Sequence, residues 1–133
     1  MIVYCDSSAL LKRVIIEPES AAVREALSRH VAAGDLVTAS SLAWLEVWRS
    51  LRRAAGARRA ADLTSRALSG VAEHEITSAT LARARRVGSD ALRTLDAVHL
   101  ASAVTVGADA LLTYDHRLAY AARALGIEVL SPT

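Results

Sequence analysis

The stretch Met1-Ile-Val-Tyr-Cys-Asp-Ser-Ser-Ala-Leu10 decides how the chain is read. Ile2 to Cys5 is a short run of β-formers, the pattern of a strand buried on both faces. It stops at Asp6, followed at once by Ser7 and Ser8, which can cap a helix. In an open α/β sheet, ligands gather in the crevice beyond the carboxyl ends of the strands. An acid at the end of the first buried strand therefore points at a site. The plainer reading is that Asp6 only N-caps the helix that follows, and the other acids of the chain decide between the two.

Outward from this stretch, helices alternate with short apolar strands. Helices are expected over Ser8 to Val14, Ser20 to Ala33, from a cap at Ser40 or Ser41 to about Ala55, and Arg58 to Leu68. Further helices follow at Ser78 to Val87, Leu95 to Val106 and His116 to Leu125. Strands are expected at Leu36 to Ala39, Val71 to Ile76, Ala110 to Thr113 and Glu128 to Leu130, the second of these at a sheet edge because Glu73-His74-Glu75 interrupts it. Glycines 34, 56, 70, 88, 107 and 126 fall between elements and stop helices. The alternation predicts an α/β fold: a short parallel sheet of about five strands flanked by helices in three layers. No repeat, low-complexity tract or linker divides residues 1–133, so one domain is expected.

Composition narrows the class. Hydrophobic residues make up 53% of the 133 and charged residues 23%, which is globular and not disordered. No apolar run approaches the ~18 residues that span a bilayer, and no secretory leader is read ahead of Asp6, so a cytoplasmic protein is expected. The single cysteine, Cys5, sits inside the first strand and reads as a small core residue. Net charge is only +2, but the 16 basic residues include one lysine, Lys12, and are otherwise arginines. Arginine offers bidentate phosphate contacts that lysine cannot. The balance favours a polyanionic partner only weakly, since a GC-rich genome also enriches arginine and alanine.

Four carboxylates stand in unusual places. Asp6 ends the first strand. Glu46 lies in Trp44-Leu-Glu-Val-Trp48, among large apolar neighbours. Asp96 opens the apolar helix Leu95-Asp-Ala-Val-His-Leu-Ala-Ser-Ala103. Asp115 follows the strand Ala110-Leu-Leu-Thr113 by two residues, which puts Thr113 and Asp115 at the same sheet edge as Asp6. Each has an ordinary explanation: Glu46 as an exposed helix glutamate beside Arg49 or Ser50, Asp96 as a first-turn acid favoured by the helix dipole, Asp115 as a cap. Brought together, however, they repel, and one or more takes up a proton unless a cation sits between them. An all-oxygen cluster suits a hard ion such as Mg²⁺ or Mn²⁺. Such a site binds phosphate oxygens, activates a water and stabilises a leaving oxygen, the equipment for phosphodiester hydrolysis.

These pieces in this order resemble a known family. Asp6-Ser-Ser-Ala-Leu-Leu-Lys12, Glu46, Leu95-Asp-Ala-Val-His-Leu-Ala-Ser-Ala103 and Leu112-Thr-Tyr-Asp115 with Leu118 look like the motifs of a PIN-domain protein, specifically a VapC-type toxin ribonuclease of a type II toxin–antitoxin pair. The family often has Phe where this chain has Leu118, a change of packing and not of chemistry. The resemblance implies Asp6, Glu46, Asp96 and Asp115 as catalytic and metal-binding acids around one or two Mg²⁺ or Mn²⁺ ions, with Ser8 and Thr113 supporting them through hydrogen bonds. It also implies RNA as substrate, a homodimer, and a VapB-like antitoxin lying across the site.

Other residues are weighed against the same chemistry. His99 shares a helix face with Asp96 and reads as packed or hydrogen-bonded, not as a ligand; His116 reads as a solvated loop residue. Asp90 and Asp109 fall outside the metal set, Asp109 being the nearer exception. Arg49, Arg52, Arg53, Arg58 and Arg59 form one basic group and Arg83, Arg85 and Arg86 another, either of which could be a solvated face or a phosphate contact. Trp44 and Trp48 read as core or a protein interface. Two rival functions stay open: a non-catalytic PIN-fold module that binds RNA or protein, and an aspartyl-phosphate phosphatase with Asp6 as nucleophile. The second lacks the Asp expected where Ser8 stands.

Overall fold

The first strand, β1 (Ile2–Cys5), is the middle strand of a five-stranded sheet, with Val3, Tyr4 and Cys5 wholly buried. The structure, a computed structural model, describes residues 1–133. After β1 come α1 (Ser7–Leu11), α2 (Ser20–Ala32), β2 (Leu36–Ser40), α3 (Ser41–Ala55), α4 (Ala57–Ala67) and β3 (Ala72–His74). The second half holds α5 (Ser78–Ala84), α6 (Thr94–Thr105), β4 (Ala110–Leu112), α7 (His116–Ala124) and β5 (Glu128–Leu130). The strand order is β3-β2-β1-β4-β5 and every pairing is parallel. This is the expected α/β architecture, and β3 does lie at an edge.

Period-two alternation splits the core between the two faces of the sheet. Val3 and Cys5 of β1 and Leu112 of β4 pack with Leu10 of α1, Val23 and Leu27 of α2, and Val47 and Leu51 of α3. Tyr4 and Leu111 point the other way, onto Leu100 of α6 and Leu118 and Ala122 of α7. The register makes this consistent: Tyr4 is paired with Leu111 and Cys5 with Leu112, so each pair shares a face. Burial pushes the Cys5 thiol up to about 12, which leaves it an inert core group. Trp44 and Trp48 are half-buried against the first of these clusters. No helix is long and apolar enough to cross a membrane.

Two helices are shorter than their patterns suggest. α1 starts at Ser7 because the Asp6 side chain accepts from the Ala9 N–H, and it ends at Leu11, where the Arg13 and Val14 N–H groups turn back to Leu10 and Leu11. α5 ends at Ala84, and the chain tightens through Arg86 and Val87 to Gly88. Gly88 has φ +73°, a left-handed conformation that strains any residue with a side chain, so glycine is favoured at this turn.

The layered core gives a direct test of the register. Leu111→Ala, at a fully buried position, should cost about 2–5 kcal/mol in urea unfolding. Leu36→Ala, at a half-exposed position of β2, should cost under about 1 kcal/mol. Equal losses would mean that Leu111 is not in the core.

Candidate active site

All five strands run the same way, so the segments that leave β1, β2 and β4 emerge at one edge of the sheet. Asp6 leaves β1 there and is 3% exposed. Its Oδ1 accepts from Ser8 Oγ at 2.7 Å and from the Ala9 N–H at 3.0 Å, and its Oδ2 accepts from Thr113 Oγ1 at 2.5 Å. Both hydroxyls are themselves fixed. Ser8 Oγ accepts from the Tyr114 N–H at 3.1 Å, and Thr113 Oγ1 accepts from the Asp115 N–H at 3.0 Å. The ends of β1 and β4 are thereby laced together through a carboxylate. Asp6 does cap its helix, but that use occupies only part of one oxygen.

The other three acids come from three helices. Asp115 is the N-cap of α7, with Oδ1 accepting from the Leu118 N–H at 2.9 Å and Oδ2 left without a hydrogen bond. Asp96 lies in the first turn of α6, half-buried, and makes no hydrogen bond to a protein group. Glu46, on α3, is half-buried and meets His99 of α6, whose Nε2 stands 2.5 Å from Oε1. His99 is 1% exposed, and its Nδ1 stands 2.8 Å from the Tyr4 hydroxyl. It is thus hydrogen-bonded on both ring nitrogens and buried.

Electrostatics tie the four acids into one environment. Burial pushes the Asp6 carboxyl above the ordinary aspartate range, and the hydrogen bonds from Thr113 and Ser8 pull against it. Asp96 is likewise raised, first by burial and then by the Asp115 charge, with Asp6 and Glu46 adding to the repulsion. None of the four is paired with a lysine or arginine. Lys12 is bound instead to Glu17 and Glu19 and lies 4.7 Å over the Tyr114 ring. A cleft of about 400 Å³ opens beside Glu46, lined by Ser7, Arg49, Ser50, Arg53 and Leu95 among others.

A family model described as the PIN domain matches residues 3–124. Ribonuclease VapC47 of Mycobacterium tuberculosis is 33% identical over 132 residues, covering 98% of this chain and 96% of that protein. Ribonuclease VapC46 of the same organism is 39% identical over 135 residues, covering 98% of each. The chain belongs to the PIN-domain family. Within it, the chain falls among the VapC ribonucleases. Solved VapC and VapBC structures agree in fold at low identity. M. tuberculosis VapC20, a toxin that cleaves the sarcin–ricin loop, superposes with a TM-score of 0.71 at 20% identity, over 90% of this chain and 94% of that one. VapBC2 of Rickettsia felis, solved with a promoter DNA fragment, gives 0.77 at 11% identity over the whole of both chains.

The chemistry of the donor set of this PIN domain fits a hard divalent ion. The atoms still free to coordinate are carboxylate oxygens: both of Asp96, Oδ2 of Asp115, Oε2 of Glu46, and the remaining lone pair of Asp6 Oδ2. The set is open: no three His, Cys, Asp or Glu side chains stand close enough together to enclose an ion as they are. Asp109 is removed from consideration by position. It lies at the opposite edge, where its Oδ2 accepts from the Ile2 N–H at 2.6 Å. His116 is exposed. The residue that sequence reasoning passed over is Tyr4. A tyrosine in a wholly buried strand needs a partner for its hydroxyl, and that was the available signal.

The raised acids predict how stability depends on pH. Folded Asp96 holds its proton more tightly than the unfolded chain does, so stability falls as pH rises from the ordinary carboxylate range through the raised value. In metal-free protein Asp96→Asn should therefore raise the melting temperature at pH 7. That gain should vanish below the ordinary aspartate value of about 3.9, where the carboxyl is protonated in both states. A gain of the same size at both pH values would show that repulsion is not its source.

Proposed function

We propose that this PIN domain is a Mg²⁺- or Mn²⁺-dependent endoribonuclease, the toxin of a VapBC-type toxin–antitoxin pair acting in the cytoplasm. What supports the reading is that Asp96 lies in the field of Asp115, Asp6 and Glu46, and that no lysine or arginine is paired to any of the four. A bound divalent ion would hold phosphate oxygens, lower the pKa of a water and stabilise charge on the leaving oxygen. Asp6 and Asp96 are the principal ligands in this reading. Asp115 serves a second or weaker ion, and Glu46 is a ligand or the base.

The chain's own groups supply orientation. Ser8, Thr113 and the Ala9 N–H hold Asp6 in one rotamer, so the ligand does not have to be ordered when an ion arrives. Glu46 keeps one oxygen on His99 and leaves the other without a hydrogen bond. In hydrolysis a water oxygen bonds to phosphorus, one P–O ester bond breaks, and the water's proton passes to a base, for which Glu46 is the candidate. Arg49 and Arg53, in the cleft beside Glu46, are suited to neutralise RNA phosphates.

The names of the VapC46 and VapC47 relatives support RNA as the substrate class. An antitoxin partner is supported by VapBC2 of R. felis and by VapBC-1 of Haemophilus influenzae, which superposes at a TM-score of 0.69 with 11% identity over 98% of each chain. A homodimer belongs to the same reading. The phosphatase alternative fares poorly, because Ser8 stands where its second Asp is expected and the only lysine is committed to Glu17 and Glu19.

Asp96→Asn should lower Mn²⁺-dependent RNA cleavage by more than the 10–100-fold typical of losing a group that merely supports a ligand. Cleavage at the parental rate would remove Asp96 from the site. Mn²⁺ should raise the melting temperature of the parent and do so less for the variant. RNA affinity should fall as salt rises, and less steeply in Arg49→Ala/Arg53→Ala. An unchanged slope would take these two arginines off the RNA path.

A further inference from the structure

A hydrogen-bonded chain runs from the central strand into the acid cluster: Ser40 N–H, Tyr4 hydroxyl, His99 ring, Glu46 carboxylate. The Ser40 N–H, at the end of β2, donates to Tyr4 Oη at 3.2 Å. Tyr4 Oη and His99 Nδ1 are 2.8 Å apart, and His99 Nε2 and Glu46 Oε1 are 2.5 Å apart. Tyr4 is wholly buried and His99 nearly so. The phenol therefore keeps its proton, and with an N–H already directed at its oxygen it has a hydrogen to give. We infer that Tyr4 sets His99 as the Nε2–H tautomer and that His99 is a positioning residue, holding Glu46 in the rotamer the nuclease site requires.

The geometry makes this more than packing. A histidine ring has two different nitrogens, and what one accepts fixes what the other donates. Nδ1, facing a hydroxyl donor, is the acceptor; Nε2 then carries the hydrogen and presents it to Glu46. The tyrosine and histidine rings meet edge-on at 67°, with centroids 5.9 Å apart, so the imidazole is held by an aromatic neighbour as well as by its two hydrogen bonds. Glu46 comes from α3, while His99 and Asp96 lie three residues apart on α6. One turn of α6 thus carries an acid of its own and the group that aims an acid from another helix. The spacing between those two carboxylates is fixed by a rigid element and not by a loop.

If Nδ1 carried a hydrogen, Tyr4 would accept from both His99 and Ser40 and would have to donate elsewhere. The Oγ atoms of Ser40 and Ser102, both buried, beside the Tyr4 hydroxyl and without another hydrogen-bond partner, would be the places. The two arrangements differ in an observable. The inference rests on the nuclease reading for its functional half, and its structural half is independent of that reading.

The first measurement is the ¹⁵N signature of the His99 ring in metal-free protein near neutral pH. We expect a pyridine-type Nδ1 and a pyrrole-type Nε2, converting to a tautomer mixture in Tyr4→Phe. A pyrrole-type Nδ1 in the parent, or a spectrum that Tyr4→Phe leaves untouched, would overturn the assignment. The second compares His99→Gln, whose amide can place a donor near the Nε2 position, with His99→Leu, both first shown to be folded by amide spectra. We expect His99→Leu to lose at least tenfold in kcat with KM for RNA little changed, and His99→Gln to recover most of it. Equal losses in both, or none in His99→Leu while Glu46→Gln is impaired, would overturn the positioning role alone. If the parent cleaves no RNA with either metal, the nuclease reading fails and takes the positioning role with it, while the tautomer result stands on its own.

Discussion

Burying the Asp6 carboxylate strips it of water at a cost on the order of several kcal/mol, and the chain offsets this only in part. Three donors reach it: the hydroxyls of Ser8 and Thr113 and the Ala9 N–H. No positive side chain is paired with it. Its ionisation is therefore held back, and the same holds for Asp96, which sits in the field of Asp115, Asp6 and Glu46. A fold selected for stability alone would place an arginine here or remove the charges. Keeping a concentrated, uncompensated negative charge at the mouth of a parallel sheet makes physical sense for a site that takes up a cation.

The topology explains how segments so far apart in sequence reach one place. β1 is central, with β2 and β4 on either side, and all three run in the same direction. Asp6, the start of α3 and Asp115 follow from the ends of those strands, and α6 enters the group through His99, which touches both Tyr4 and Glu46. The opposite edge has its own acids, Asp35 and Asp109, which receive the N–H groups of Met1 and Ile2. There the carboxylates are spent on holding strand ends. The two edges thus separate structural carboxylates from those with oxygens left over.

Much of this was legible in the sequence, for identifiable reasons. Strands buried on both faces, such as Ile2–Cys5 and Ala110–Leu112, announce themselves as apolar runs ending at a polar residue. Glycines at helix ends marked the boundaries of α3 and α7 closely. What was not legible depended on contacts between distant residues. Capping by Asp6 moved the start of α1, and the chain tightened into a turn after Ala84 ahead of Gly88. Asp109 and Asp115 both flank β4, yet only the direction of the strand separates the edge that carries the site from the one that does not. The link from Tyr4 through His99 to Glu46 spans three elements and has no local signature. The motif resemblance supplied the four acids as a set. It did not supply how Glu46 is held.

The decisive property is whether the four acids form one cation site. The most direct measurement is the effect of substoichiometric Mn²⁺ on the assigned amide spectrum of the full chain, since the ion broadens signals near where it binds. Broadening should fall together on the amides of Asp6, Glu46, Asp96 and Asp115 and spare those of Asp35 and Asp109. Broadening centred on Asp35 and Asp109, or spread evenly over the surface, would contradict it.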